Sequence, residues 1–151
     1  MPDEIKIKPW VGIDLDKTLA EATDEYQEGK IGKPLWPMVN FAHWQLNLGN
    51  KVKIFTSRAD NPADIEAIKA WLIDEAGLPL KREEFEKAKL AGNAPDELEV
   101  SNIKDKGCIM LIDDLAWHAR PNTGLVEGMS LPNNKGPATR LPHRQPFRLS
   151  R

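Results

Sequence analysis

The chain has 151 residues, with 21 Lys and Arg against 23 Asp and Glu (net charge −2), 40% apolar residues and 29% charged ones. That is enough chain to bury the core of one domain, and its composition is neither that of a disordered segment nor that of a membrane-spanning one. One cysteine, Cys108, leaves no partner for an internal disulfide and no Cys/His cluster for zinc.

The start of the chain, Met1 to Lys6, is polar and does not read as a secretory signal, so a cytoplasmic location is expected. Charge is spread unevenly. From Lys135 onward the chain carries Lys135, Arg140, Arg144, Arg148 and Arg151 with no acid, so 16 of the 21 basic residues are left to face 23 acidic ones. An acidic body does not suit a dedicated nucleic-acid clamp.

The first strand is expected from about Lys8 to Ile13, its apolar run leading into Asp14, Asp16 and Thr18 at Asp-x-Asp-x-Thr spacing. Two carboxylates at a strand end repel each other unless a cation sits between them, which points to a hard-metal site; an ordinary acidic loop is the plain alternative. Thr23 to Leu35 reads as loop. Pro37 to Leu48 carries Met38, Phe41, Ala42, Gln45 and Leu48 at helical spacing and is closed by Gly49-Asn50. Lys51 to Phe55 is the second strand, ending in Thr56-Ser57-Arg58. A helix then opens at Asn61-Pro62, carries Ile65, Ile68, Ala70, Trp71 and Leu72, and stops near Gly77.

A charged helix is expected over Lys81 to Leu90, and a weak strand over Leu98 to Ser101. Cys108 to Ile112 is a clear strand bounded by Gly107 and Asp113-Asp114, and Thr123 to Val126 would add an edge strand. Beyond Gly128, Pro132, Pro137, Pro142 and Pro146 break any helical period. The expected organisation is therefore a domain over 1–128 and a Pro-rich basic tail over 129–151. Alternating strands and helices predict an α/β fold, a doubly wound, Rossmann-like and mostly parallel sheet. Trp44 and Trp71 are expected in the core. Trp36 and Trp117 lie near loops, where they would pack or stack on a base.

Parallel strands bring their carboxyl ends together, so Asp14, Asp16, Thr18, Thr56, Lys104 and Asp113-Asp114 would share one edge. Asp113-Asp114 taken alone could equally be a helix N-cap. Arg58 would contact a phosphate or cap a surface loop, and His118 reads as a surface or structural residue.

This order of residues resembles the haloacid dehalogenase-like (HAD) superfamily of aspartyl-phosphate hydrolases. Gly12 to Leu19, Ile31 to Pro34 with the helix after it, and Ile54 to Arg58 look like its small phage and bacterial members. So do Asn102 to Asp105 and Asp113-Asp114 with Asn122-Thr123-Gly124, a likeness spanning about residues 8 to 126. The resemblance implies that Asp14 is the nucleophile and that Asp16 protonates the leaving alcohol, then deprotonates the attacking water. It implies that Thr18 orients Asp16, that Thr56 and Lys104 meet the phosphate, and that Ser57 and Arg58 help bind substrate. Mg²⁺ would be held by Asp14, Asp16 through its backbone carbonyl, Asp113 and Asp114.

Two departures stand out. Lys17 occupies a position where many relatives have glycine, and its ammonium would point to solvent or to phosphate. Eight residues separate Lys104 from Asp113, too few for the usual helix, which makes Lys106 the alternative phosphate-binding lysine.

The expected function is a Mg²⁺-dependent phosphomonoesterase with a minimal cap, since Thr18 to Thr56 leaves little room for a large one. Its open site would accept a phosphorylated small molecule, a nucleotide, a polynucleotide end or a phosphoprotein, with no membrane partner. The basic tail would bind nucleic acid, engage a second copy of the chain or stay solvated. Alternatives are a receiver-like phosphoacceptor and a non-catalytic binding protein on the same fold. Receivers place the acidic pair first and the lysine last, the reverse of this chain.

Overall fold

The computed structural model describes residues 8–115 and Asn122. Four parallel strands form one sheet in the order β3-β2-β1-β4: β1 (Trp10–Ile13), β2 (Lys51–Phe55), β3 (Glu99–Ser101) and β4 (Cys108–Ile112). β1 lies between β2 and β4, and Ile13 pairs with both Ile54 and Ile112, so the residues that follow these three strands meet at one edge. The β1–β4 pairing shifts between Trp10 and Val11: Trp10 pairs with Cys108 and Val11 with Met110, leaving Ile109 as an extra residue in β4.

The crossovers follow from local sequence. α1 (Trp36–Asn47) has Pro37 in its first turn, where a missing N–H costs nothing. α2 (Pro62–Trp71) starts with Asn61 accepting the Ala63 N–H at 3.0 Å and Pro62 entering the first turn. The helix expected to run on to Gly77 changes at Leu72 to a π-helical turn over Leu72–Ala76, and Gly77, at φ +70°, ends it. α3 (Arg82–Leu90) is highly charged and buries only Phe85 among its residues.

Val11, Ile13, Val52 and Ile54 point to one face of the sheet and form the core with Leu15, Leu19, Val39, Ala42, Ile68, Trp71 and Leu72. Trp71 is buried as expected, but Trp44 is not a core residue: it is 56% exposed and meets Phe41 edge to face at 5.9 Å. α1 buries Val39, Ala42 and Gln45, and Trp44, two residues on from Ala42, faces the opposite way. Trp36 does not pack into the core either, being 55% exposed.

No helix lies between β3 and β4; residues 102–107 return as a loop beside the other face of the sheet. There Lys53 is buried, with its ammonium 3.5 Å from Glu99, 3.7 Å from Asp105 and 4.6 Å from the centre of a Trp10 ring. The Trp10 indole N–H donates to Asp105 at 2.7 Å.

Among the described residues no helix is long and apolar enough to cross a membrane. The strand expected over Thr123 to Val126, the domain boundary at 128 and the tail over 129–151 lie outside the described residues, as do Trp117 and His118.

Candidate active site

Beyond β1 the chain tightens. The Leu15 carbonyl accepts the N–H groups of Thr18, Leu19 and Ala20, at 3.3, 2.9 and 2.9 Å, which curls the run back over its own start. Lys17 takes φ +69° in this turn, the left-handed conformation that glycine adopts without strain. Its side chain is exposed.

The turn directs Asp14 toward the end of β4. The Asp14 N–H donates to the Ile112 carbonyl at 2.9 Å, and carboxylate oxygens of Asp14, Asp113 and Asp114 all lie within 4.8 Å of one another. Thr18 joins the two sides: its hydroxyl donates to Asp14 at 3.1 Å and accepts the Asp114 N–H at 3.2 Å. Asp113 also accepts the Leu115 N–H at 2.9 Å, the contact an acid makes when it opens a turn. Burial, followed by the charge of Asp113 and the proximity of Asp114, pushes Asp14 up to about 7, against a partial offset from the Thr18 hydrogen bond. Three converging carboxylates, joined by no nitrogen or sulfur donor among the described residues, form a set suited to a hard divalent cation.

Asp16 is placed differently. Its carboxylate faces Arg58, which donates from Nε and Nη2 to separate oxygens, both at 2.9 Å. Arg58, expected at a substrate or at a surface loop, is buried: Nη1 donates to the Lys30 carbonyl at 2.7 Å and lies 3.8 Å from Asp64. Thr56 is buried at the end of β2, and its hydroxyl oxygen accepts the Arg58 N–H at 3.2 Å, capping a short 3-10 turn over Ser57–Asp60. Ser57 is exposed beside it. Lys104 and Lys106 are exposed in the loop before β4, and neither makes an ion pair with a described acid within 4.0 Å.

Sequence reasoning missed Asp64 and Tyr26. Asp64 is 1% exposed and accepts from the Tyr26 hydroxyl at 2.5 Å and the Gly29 N–H at 2.8 Å. Burial acts against its ionisation, but these two hydrogen bonds and the Arg58 charge hold its carboxyl below the usual range. Asp64 stands in the first turn of α2, where an acid is ordinarily a dipole partner, so nothing in the sequence marks it as buried. Tyr26 had one signal, as the single tyrosine of the chain set in a charged loop.

No family model, curated protein or solved structure matches this chain.

Proposed function

We propose that this protein is a phosphomonoester hydrolase of the HAD-like type, working with Mg²⁺ through a phosphorylated Asp14. The observation that carries the proposal is the convergence of Asp14, Asp113 and Asp114 within 4.8 Å. The resemblance of the Asp14-x-Asp16-x-Thr18, Thr56 and Asp113-Asp114 stations to that superfamily adds to it.

Asp14 attacks phosphorus, and the ester P–O bond breaks as the Asp14–phosphate bond forms. Asp16 gives its proton to the leaving alcohol oxygen. In the second half-reaction Asp16 takes a proton from water, the water oxygen bonds to phosphorus, and the Asp14–phosphate bond breaks to release inorganic phosphate. Thr56, whose oxygen already accepts the Arg58 N–H, retains its hydroxyl hydrogen for a phosphate oxygen. Lys104, or Lys106 in its place, would offset phosphate charge from the loop before β4. Asp14, Asp113 and Asp114 would hold the cation, with the Asp16 carbonyl as a further oxygen; when bound, it offsets carboxylate repulsion and keeps Asp14 ionised.

In the test, phosphate release from an aryl phosphate is measured with and without Mg²⁺. Asp14→Asn removes the nucleophile and should reduce the Mg²⁺-dependent rate by at least about a thousand-fold. Undiminished turnover in that variant refutes the assignment.

One observation favours a second reading, a phosphoacceptor that does not turn over. The fork of Arg58 on Asp16 occupies the carboxylate that must move the protons. If that contact persists, acetyl phosphate with Mg²⁺ will leave a stable acyl phosphate on Asp14, visible as an 80 Da mass increment (roughly one HPO₃ unit).

A further inference from the structure

We propose that Tyr26 is a stacking platform for the base of a nucleotide whose phosphate sits at Asp14, an assignment that rests on the phosphatase reading above. Residues 22–32 contain neither strand nor helix, yet the segment is fastened at its neck and at its tip. At the neck, the Glu21 N–H donates to the Lys33 carbonyl at 2.8 Å and the Leu35 N–H to the Leu19 carbonyl at 2.8 Å. The two limbs approach so closely that a Cβ on Gly32 would lie 2.1 Å from the Glu21 carbonyl oxygen. At the tip, Asp64 takes the Tyr26 hydroxyl and the Gly29 N–H, and Arg58 takes the Lys30 carbonyl.

The Tyr26 ring is thereby set one guanidinium away from the proposed acid-base group. Arg58 Cζ lies 5.1 Å from the ring centroid, and the same guanidinium holds Asp16. The tyrosine is nevertheless 61% exposed. Its hydroxyl is fixed and one face meets a cation, while much of the ring stays open to solvent beside the carboxylate that would meet the leaving group. An aromatic already held in place loses little freedom when a flat partner stacks on it. The leaving group with that chemistry is a nucleoside, free or at the end of an oligonucleotide. Asp24, Glu25 and Glu28 are exposed around Tyr26 and would repel a long polyanion, which favours the free mononucleotide.

Tyr26 is the single tyrosine, so the full chain made with 3-fluorotyrosine gives one fluorine resonance that reports on this ring alone. With Mg²⁺ present, that resonance should shift saturably with a non-hydrolysable adenosine phosphonate and stay in place with methylphosphonate. A 5′-phosphorylated oligonucleotide should shift it only at higher concentration; an equal or tighter response assigns the platform to polynucleotide ends instead. Tyr26→Ala should raise KM for adenosine monophosphate about ten-fold more than KM for glycerol phosphate, and Tyr26→Phe should recover most of that difference. A resonance unmoved by saturating nucleoside phosphonate, or equal KM losses on the two substrates, overturns the platform. A shifting resonance in a protein that hydrolyses no ester keeps the platform and overturns the phosphatase reading. Hydrolysis without base preference, with an unmoved resonance, does the reverse.

Discussion

Arg58 grips Asp16 through two donors, Nε and Nη2, each 2.9 Å from a different carboxylate oxygen. With Nη1 on the Lys30 carbonyl and Asp64 3.8 Å away, one buried guanidinium ties together the turn after β1, the 22–32 segment and the start of α2. A lysine keeps the charge but cannot fork. Arg58→Lys should therefore cost about 2 kcal/mol and Arg58→Ala about 3 to 5 kcal/mol, because the latter strands the buried Asp64 carboxylate. Urea unfolding measures both. A loss in Arg58→Ala no larger than that of a surface substitution would show that the hub does not hold.

Proton binding at the site has a definite direction. Asp14 is raised from 3.8 to about 7, so in the cation-free protein the fold favours its protonated form. The contribution to stability is complete below pH 3.8 and is lost as pH rises through about 7. Asp64 is lowered, so its contribution is present above its unfolded value and is lost as pH falls through its folded value. Asp14→Asn should flatten the decline on the neutral side and leave the acid limb intact, as read by melting temperature against pH without divalent cations. Mg²⁺ needs the carboxylate, so its affinity should rise between about pH 6 and 8 with release of a proton. Calorimetry in buffers of different ionisation enthalpy detects that proton; affinity flat over this range contradicts the metal assignment.

Lys17 pays a conformational penalty at φ +69°. Lys17→Gly relieves it, although glycine gives back part of the gain through its freer unfolded chain, and a net stabilisation of about 0.5 to 1 kcal/mol is expected. Lys17→Val should be worse than the parent, since a β-branched residue tolerates this conformation least. Identical melting temperatures for all three would mean that the turn is not held in this form.

The buried ammonium of Lys53 and the Trp10 indole share Asp105, but they depend on it unequally. Lys53→Met removes a costly buried charge while Glu99 keeps Lys51 at 3.2 Å and Asp105 keeps the Trp10 N–H, so stability should change by less than about 1 kcal/mol. Asp105→Ala leaves the indole N–H of the buried Trp10 unpaired and should cost about 1 to 3 kcal/mol. Asp105 directly follows Lys104, so its loss should also weaken phosphate binding if Lys104 acts there. Chemical denaturation of the two variants gives the ranking.

Strands and helices were legible where local pattern decides them. The apolar runs ending at Ile13, Phe55 and Ile112 are observed as strands, and Asn61-Pro62 starts α2 where its capping chemistry predicts. The gathering of Asp14 with Asp113 and Asp114 followed from the parallel arrangement, because strands in one register deliver their ends to one edge. Long-range polar partnerships were not legible. Asp64 lies six residues beyond Arg58 and 38 beyond Tyr26 in sequence, and no periodicity encodes its contacts with them. Trp44 is large and apolar, which favours burial, but the helical turn sets it on the side of α1 away from the buried Val39 and Ala42.

The extra residue in β4 has a consequence for where the acids stand. With Ile109 inserted, Ile112 pairs with Ile13 and the two acids emerge level with Asp14. Were Ile109 instead paired with Val11 in an unbroken ladder from Trp10 and Cys108, Ile112 would fall level with Asp14 and the acids one step further along. That one-residue slip would turn each side chain of β4 beyond Cys108 to the other face of the sheet. By standing outside the ladder, Ile109 sets the phase in which the carboxylates arrive.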